Sequence, residues 1–288
     1  GSGRLVSEVA FAYDALGRLA VEQQEHLGAV GATTPTVEHA YDTTAASGIL
    51  TKGGRPTSLQ YPSGRKLHFD YGAAGSADDR LARVHALRDD ASGSPGAALA
   101  EYSYLGQASI VRVNLPEPEV RYDLAHGAGD DPYAGLDRFG RVVDLLWRGT
   151  ALNTDFARIG HGYDRAGNRL WRHDPVAAAH GKAFDELYTY DQVDQLRSLT
   201  RGTLNAGRTA ITSGTTKFQE DWSLDATGNW TGFKQDTDGN GAWDLDQTRT
   251  HNAVNEITGI IGGSWAQPAH NRAGNMTTVP QPAVPTDA

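Results

Sequence analysis

The sequence predicts an all-β fold made of tandem antiparallel β-hairpins, and three observations support this prediction. A short acid-to-glycine motif recurs along the chain, apolar and polar residues alternate beside it, and helical spacing is scarce. The length of 288 residues alone would suggest about two domains. The repeat instead predicts one array over residues 4–279, with residues 1–3 as a cloning remnant and residues 280–288 as a Pro-rich tail or linker.

The motif runs from an aromatic residue or leucine, through an acid or amide, to a glycine and then a basic or amide residue. Its eight copies are YDALGRL (13–19), YPSGRKL (61–67), LDRFGRV (136–142), YDRAGNR (163–169), YDQVDQL (190–196), LDATGNW (224–230), HNAVNEI (251–257) and HNRAGNM (270–276). The fifth positions of the last six copies are separated, by subtraction, by 27, 27, 34, 27 and 19 residues. A period of roughly 20 to 50 residues is typical of an array of small supersecondary units.

The second and fifth positions of the motif predict a tight turn. An acid or amide in the second position can accept hydrogen bonds from backbone amides two residues on, and so begin the turn. The aspartates in this position include Asp14, Asp164, Asp191 and Asp225. The fifth position needs a positive φ angle to close a type I turn with a bulge, and glycine adopts that angle without steric cost. The glycines in this role are Gly17, Gly140, Gly167, Gly228 and Gly274, together with Gly64, which is the fourth residue of its copy. Asp194 and Asn255 replace glycine in two copies, and both residue types tolerate a left-handed backbone.

The segments that flank the motif alternate as strands do. Before the first turn, Val9, Phe11 and Tyr13 share one face, and after it Leu19 and Val21 carry the apolar side. We therefore expect the aromatic residues before each turn to pack between successive hairpins.

Three segments depart from this pattern. Residues 174–187 carry a proline near the start and an alanine run, but Gly181 interrupts them, so we expect a short helix or turn there. Residues 45–58 and 88–98 are rich in glycine, serine and proline, which predicts loops or hairpin tips.

Composition excludes several classes of partner and site. The formal net charge is −9 and no basic stripe is present, which argues against nucleic acid. The chain has no cysteine, which excludes disulfides, zinc–thiolate sites and a thiol nucleophile. No window approaches the roughly 18 consecutive apolar residues of a membrane helix, so we expect no direct membrane insertion.

The repeated core resembles the YD repeat of the Rhs family, which includes bacterial Rhs proteins, shell components of insecticidal toxin complexes and the animal teneurins. The resemblance extends from about Tyr13 to Met276. It implies β-hairpins joined edge to edge into a curved, spiralling sheet that forms part or all of a hollow β-shell or barrel. The family's C-terminal core with its self-cleavage site has no match here, so neither autoproteolysis nor a toxin activity is implied.

The motif acids are better explained as turn residues than as catalytic ones. Paired carboxylates can act as acid and base, but an active site occurs once, whereas these acids recur in every hairpin. We expect Arg18, Arg65 and Arg141, which follow the glycines, to lie across from carboxylates on the sheet. A G-x-S-x-G nucleophile elbow is also missing, so we predict no catalytic residue and no organic cofactor.

One acidic stretch, residues 236–247, has the spacing of a calcium loop. Asp236, Asp238, Asn240 and Asp244 fall at positions 1, 3, 5 and 9, with glycine at position 6. The glutamate expected at position 12 is Gln247, which removes the strongest ligand. The alternative is an acidic, solvated hairpin tip without a metal.

Two functions remain open from the sequence. The first is a non-catalytic structural module of a large secreted or cell-surface bacterial protein, with other segments of that protein and an encapsulated polypeptide cargo as partners. The second is an adhesion module that binds a cell-surface glycan or protein. Six tryptophans are available for sugar stacking, but we expect Trp171, Trp222, Trp230 and Trp265 to be buried because they lie near turn motifs.

Overall fold

The computed structural model describes residues 6–42, 54–125, 135–263 and 265–279. The expected cloning remnant (1–3), the Pro-rich tail (280–288) and most of the insert at 45–58 lie outside the described residues. The chain divides into two compact units, unit 1 (residues 1–133 and 147–154) and unit 2 (residues 134–146 and 155–288).

The first half of the strands belongs to unit 1. These strands are β1 (Glu8–Tyr13), β2 (Leu19–Glu25), β3 (Thr36–Tyr41), β4 (Pro56–Gln60), β5 (Lys66–Asp70), β6 (Ala86–Ala91), β7 (Ser94–Leu105), β8 (Ser109–Leu115) and β9 (Val120–Asp123). A four-residue helix, α1 (Ala77–Arg80), follows β5, and the hydroxyl of Ser76 caps it by accepting the amide of Asp79.

The remaining strands form unit 2, except that β10 is divided between the units and Thr154, the first residue of β11, falls in unit 1. They are β10 (Asp144–Gly149), β11 (Thr154–Tyr163), β12 (Arg169–His173), β13 (Asp185–Tyr190), β14 (Leu196–Gly202), β15 (Phe218–Leu224), β16 (Trp230–Asp236), β17 (Leu245–His251), β18 (Ile257–Ile261), β19 (Ala269–His270) and β20 (Met276–Thr278).

Within each unit, successive strands pair antiparallel as hairpins. The pairing runs from β1 to β9 in unit 1 and from β11 to β18 in unit 2, and β19 and β20 form a separate hairpin. In the hairpins that contain the motif, the register commonly shifts just before the acid, as between Gly162 and Tyr163 and between Thr189 and Tyr190. Such a shift is the mark of a bulge beside a tight turn. The predicted all-β class with tandem antiparallel hairpins is confirmed.

Residues 174–187 contain both a helix and the start of a strand. The helix α2 (Pro175–Ala179) begins where Asp174 accepts the amide of Ala177 at 2.9 Å, with proline in the first turn. It ends before Gly181, whose φ of 71° cannot continue a right-handed helix. Residues 88–98 form a hairpin tip, with Ser92 and Gly93 between the paired residues Ala91 and Ser94.

The buried side chains are polar about as often as apolar. Among the described residues the buried apolar set is Tyr71, Ala86, Ala100, Val111, Leu124, Leu146, Trp222 and Ile260. The buried polar set is Thr34, Ser58, His68, Asp79, Asp123, Asp185, Glu186, Asp236 and Gln247. Buried charges are tolerated when they are paired and hydrogen-bonded. Asp123 is fully buried between Arg112 and Arg121, each with a nitrogen 3.2 Å from its carboxylate.

Candidate functional site

All eight motif copies lie in the described residues and fold into the same corner. In the corner between β11 and β12, the amide of Asp164 donates to the carbonyl of Asn168 (3.0 Å), and the amide of Gly167 donates to the carbonyl of Asp164 (3.4 Å). The same two backbone hydrogen bonds close the corners that begin at Asp14, Tyr61, Asp137, Asp191, Asp225, Asn252 and Asn271. The motif is therefore a unit of backbone geometry, a turn followed by one left-handed residue.

The acid at the start of a corner binds the backbone of its own turn. Asp164 Oδ1 accepts the amides of Gly167 and Asn168, both at 2.8 Å, and its Oδ2 accepts the Asn168 side chain at 2.9 Å. Burial alone would raise the pKa of Asp164, but these hydrogen bonds lower it below its ordinary value. Asn252 accepts two amides through Oδ1 in the same way, at 3.0 Å each. This arrangement uses the acid as a turn anchor, the role that its recurrence predicts.

The corner glycines and their two replacements all have a left-handed backbone. Their φ angles run from 63° at Asp194 to 101° at Gly167. The open space around Gly17, Gly64 and Gly140 would admit a Cβ, with nothing within 4 Å. The backbone angle therefore explains the glycine at these positions, and packing does not.

The two replacements are also linked to the preceding corner by a hydrogen bond. Asn168 Nδ2 donates to Asp194 Oδ1 at 2.7 Å, and Asn229 Nδ2 donates to Asn255 Oδ1 at 2.9 Å. Both donors occupy the position directly after the corner glycine. Asp and Asn thus tolerate the backbone angle and also connect neighbouring corners, a second role that the sequence did not indicate.

Tyrosines connect successive hairpins through a contact that sequence reasoning missed. The Tyr163 hydroxyl donates to the carbonyl of Val142 (2.8 Å), and the guanidinium of Arg141 lies 4.6 Å from the centre of the Tyr163 ring. The same pairing of a tyrosine with the carbonyl that follows a stacked arginine occurs at Tyr41 with Leu19 and Arg18, at Tyr71 with Pro56 and Arg55, and at Tyr104 with Val84 and Arg83. Tyr190 donates to the carbonyl of Arg169 in the same way, after Asn168.

This tyrosine contact gives a role to the hydroxyl of Tyr163 and Tyr190, the first residues of two motif copies, and the other three tyrosines that make it lie outside the eight copies. The ring covers the preceding arginine, and the hydroxyl satisfies a backbone carbonyl of the neighbouring strand. The signal in the sequence was an arginine followed 16 to 23 residues later by a tyrosine, by subtraction of their numbers. Tyr13, in the first corner, has a side chain that is 62 % exposed.

The arginines after the glycines differ from the expectation at two of three positions. Arg65 lies near Asp89 of the adjacent strand, at 3.5 Å, as expected. Arg18 and Arg141 instead pair with Asp14 and Asp137 of their own corners, each at 2.6 Å. Four residues separate the partners in both cases, and the tight turn returns the arginine directly to its own acid.

The acidic stretch 236–247 brings three carboxylates together. Ligand oxygens of Asp236, Asp238 and Asp244 lie within 4.8 Å of one another. Asp236, only 1 % exposed, accepts the amides of Gly239 (2.7 Å) and Gly241 (2.8 Å). Burial alone would raise the pKa of Asp236, but these amides lower it.

Asn240 and Gln247, the two remaining positions of the calcium-loop pattern, do not belong to this group of carboxylates. Asn240 Oδ1 accepts the amide of Ala242 at 2.7 Å. Gln247 pairs with Phe233 and Asp236 lies three residues further along β16, so strand alternation places Gln247 and Asp236 on opposite faces. The carboxylates thus form a three-acid cluster, and Gln247 is not its twelfth-position ligand.

The expected burial of the tryptophans holds for Trp222, which is 9 % exposed, and is wrong for Trp230, which is 40 % exposed. A register shift between Ser223 and Leu224 places Trp230 opposite Leu224. Its ring stacks on Phe233 with centroids 5.5 Å apart, and Arg249 lies 5.1 Å from the Trp230 centroid. Trp230 therefore packs against Phe233 and Arg249 and stays partly exposed to solvent.

The fold is similar to parts of solved toxin-complex structures. The crystal structure of TcdB2-TccC3-Cdc42 matches with a TM-score of 0.58 and 12 % identity, over 95 % of this chain and 14 % of that chain. The Photorhabdus luminescens Tc holotoxin pore matches with a TM-score of 0.54 and 12 % identity, over 96 % of this chain and 15 % of that one. The crystal structure of TcdB2-TccC3 matches with a TM-score of 0.56 and 11 % identity, over 95 % and 16 %.

At these identities the likeness concerns the fold alone, and the chain spans about one seventh of the length of the solved chains. No protein-family model and no curated protein sequence matches. Within the described residues, no helix is long and apolar enough to span a membrane.

Proposed function

We propose that the chain is a non-catalytic structural module of a larger secreted or surface-exposed bacterial protein of the YD-repeat or Rhs type. In this role its hairpins form part of a β-sheet wall that encloses or displays a polypeptide cargo. The observation that carries the proposal is the repetition of one corner eight times, each with the same two backbone hydrogen bonds. A unit that recurs in this way serves architecture, because a binding or catalytic centre would make one copy different from the rest.

Two further observations support a wall. The tyrosine contacts join one hairpin to the preceding one at five places, so the units extend a sheet in one direction. The fold is also similar to parts of solved toxin complexes, one of which includes Cdc42. We extend that similarity to a shell role for this chain, in which other segments of the parent protein complete the enclosure.

Cysteine labelling of the full-length parent protein tests the proposal, since this chain contributes no native cysteine. Thr248→Cys and His251→Cys place single thiols on opposite faces of β17. If the sheet is the wall of a shell, a small maleimide should label both positions, whereas a polymer-linked maleimide too large to enter should label only one face.

The isolated chain carrying the same two substitutions is the matched control. In it, the polymer-linked reagent should reach both positions because the rest of the parent protein is missing. Equal labelling of both faces by the large reagent in the full-length protein would contradict a wall that separates two compartments.

An adhesion role is the second candidate, and partly exposed aromatic rings favour it. Trp147, Trp230 and Trp243 are each between 36 and 40 % exposed, and partly exposed aromatic rings can contact sugars. A glycan array probed with the chain separates the two functions. Binding to a defined glycan that is lost in Trp230→Ala would support adhesion, and the absence of binding would leave the structural role as the better account.

A further inference from the structure

Unit 2 contains a concave pocket of about 470 Å³ at the ends of strands β10 to β12. Its lining residues are Val143, Asp144, Arg158, Gly160, His161, Trp171, His173, Pro175 and Arg208. Pockets for small ligands commonly have volumes of roughly 300 to 1,000 Å³ and combine apolar walls with a few polar groups. We call this the Arg208 pocket.

Arg208 reaches the pocket from a strained backbone position. It lies in the loop between β14 and β15 with a φ of 55°, and its amide donates to the carbonyl of Asn205 at 2.9 Å. Asn205 Oδ1 accepts the amide of Thr209, also at 2.9 Å, as the aspartate or asparagine that begins seven of the eight corners accepts its amides. Those corners place glycine, aspartate or asparagine in the left-handed position, whereas this loop places a long arginine there. A left-handed arginine is disfavoured by the backbone, and such outliers recur at functional sites.

The Arg208 guanidinium is held on an aromatic ring. Its carbon Cζ lies 4.3 Å from the centroid of the Trp171 ring. The indole lies directly against the backbone of Gly162, where a Cβ would come within 2.1 Å of Nε1. Glycine at this position is therefore required for the Trp171 ring, and the ring provides a fixed platform for the cation.

Arg208 has no carboxylate partner among the described residues, unlike its neighbours. Arg158 pairs with Asp144 at 2.5 Å, and His173 Nδ1 lies 3.0 Å from Asp185. Burial, together with the nearby Arg169 and Arg172, lowers the pKa of His161, so its imidazole adds no charge at neutral pH. Of the two arginines that line the pocket, Arg158 is thus paired with a carboxylate and Arg208 is not, among the described residues.

We propose that the Arg208 pocket binds a small organic monocarboxylate, whose carboxylate pairs with the Arg208 guanidinium and whose apolar part contacts Val143 and Pro175. The planar guanidinium fork fits a carboxylate with two hydrogen bonds. The Arg208 charge beside the Asp144 carboxylate favours a monoanion over the dianion of phosphate. This site is independent of the shell role, because none of its features belongs to the repeated corner.

Calorimetric titration of the chain with benzoate tests the site, with benzamide as the neutral ligand of the same shape. We expect saturable binding of benzoate and none of benzamide, and weaker binding of acetate, which lacks the apolar part. N-acetylphenylalanine places the same chemistry at a peptide terminus. If it binds more tightly than benzoate, the natural carboxylate is a polypeptide end, and if it binds less tightly, the carboxylate belongs to a free small molecule.

Three variants make the assignment specific. Arg208→Gly should lower the affinity for benzoate at least about 10-fold. The melting temperature of this variant should stay the same or rise, because glycine accepts the left-handed angle. Arg208→Lys keeps the charge without the planar fork and should give a smaller loss. Arg197→Ala removes an exposed arginine of β14 in the same unit and should leave the affinity unchanged.

Three results would overturn the proposal. The first is no saturable benzoate binding by the wild-type chain at its normal melting temperature. The second is unchanged affinity in Arg208→Gly. The third is tighter binding of inorganic phosphate than of benzoate, which would mark a general anion site instead of a carboxylate site.

Discussion

The corner between β11 and β12 and the reversal between β8 and β9 both join antiparallel strands, but their sequences specify them to different degrees. In the corner, the carboxylate of Asp164 accepts two backbone amides and Gly167 takes the left-handed angle. In the reversal, the amide of Glu119 donates to the carbonyl of Pro116 at 3.2 Å, and Glu119 itself is left-handed with a φ of 52°.

This difference shows that a hairpin tolerates a poor turn residue when the strands hold it. Leu115 and Val120 pair directly on either side of the β8–β9 turn, so the ladder fixes its length. In the corners, by contrast, the left-handed position is occupied by glycine, aspartate or asparagine, the residue types that adopt this backbone angle most readily. Corners should therefore lose stability on substitution of the left-handed residue, whereas the β8–β9 turn should gain it.

The largest expected effect is at a corner glycine. Gly140 has a φ of 76°, and a Cβ added to it would meet nothing within 4 Å, so a new side chain costs stability only through the backbone. Gly140→Val should lower the free energy of unfolding by about 2 kcal/mol, because a left-handed angle costs an L residue about 1 to 2 kcal/mol and β-branching adds to it. Urea denaturation measures the change.

Gly140→Asn is the control for that substitution. Asn255 already occupies the equivalent position with a φ of 65°, so asparagine should lose less than half as much as valine. Equal losses for the two variants would show that the left-handed angle does not decide the choice of residue.

The second effect has the opposite sign and concerns the β8–β9 turn. Glu119→Gly should raise the free energy of unfolding by about 0.5 to 1 kcal/mol, since relief of the left-handed angle exceeds the entropy that glycine adds to the unfolded chain. Glu119→Ala keeps the strain and should bring no gain. A loss of stability in Glu119→Gly would erase the distinction between the two kinds of reversal.

The same distinction explains what the sequence could predict. Within five residues, the corner motif contains both a side chain that accepts backbone amides and a residue that adopts a positive φ angle. These neighbouring residues were enough to predict the hairpins and the all-β class. Turns such as the one at Glu119 carry no such local signal. The tyrosine contacts and the buried Asp123 depend on partners in other strands, and only the register of those strands brings them together. The strained Arg208 belongs to this group too, because its ring partner Trp171 is two strands away in sequence.

A smaller effect, the dependence of stability on pH, should distinguish the corners that begin with aspartate from the corners that begin with asparagine. Hydrogen bonds from the side chains of Asn229 and Thr227 lower the pKa of Asp225 well below its ordinary value. A carboxyl group with a lowered pKa in the folded state stabilises above its unfolded-state pKa of about 3.9, and that contribution is lost as the pH falls through the folded pKa. In the corners at Asn252 and Asn271 the anchoring side chain is an amide, which carries no titrating proton.

Asp225→Asn tests this contrast, since asparagine already anchors two other corners. The difference in melting temperature between wild type and variant should be constant at neutral pH and shrink below about pH 4. Asn271→Asp should have the reverse effect and add acid sensitivity, because its carboxylate would accept the amides of Ala273 and Asn275 that Asn271 Oδ1 accepts. A wild-type and Asp225→Asn pair that lose stability in parallel down to acid pH would show that the corner carboxylate does not contribute through its charge.

The smallest expected effect concerns calcium at the loop formed by residues 236–247. Its three carboxylates lie close enough to share a cation, but backbone amides already occupy the Asp236 oxygens and Gln247 lies on the other face of the strand. We therefore expect only weak binding, which would raise the free energy of unfolding by about 0.4 kcal/mol when free calcium equals the dissociation constant. Melting curves in chelator and in rising calcium measure this shift, with Asp238→Asn as the variant that should abolish it. Asp238 is exposed and accepts the backbone amide of Asn240, and asparagine keeps an oxygen for that hydrogen bond, so this variant tests the metal without removing the turn. An identical melting temperature from chelator to millimolar calcium would assign the loop to the turn anchors alone.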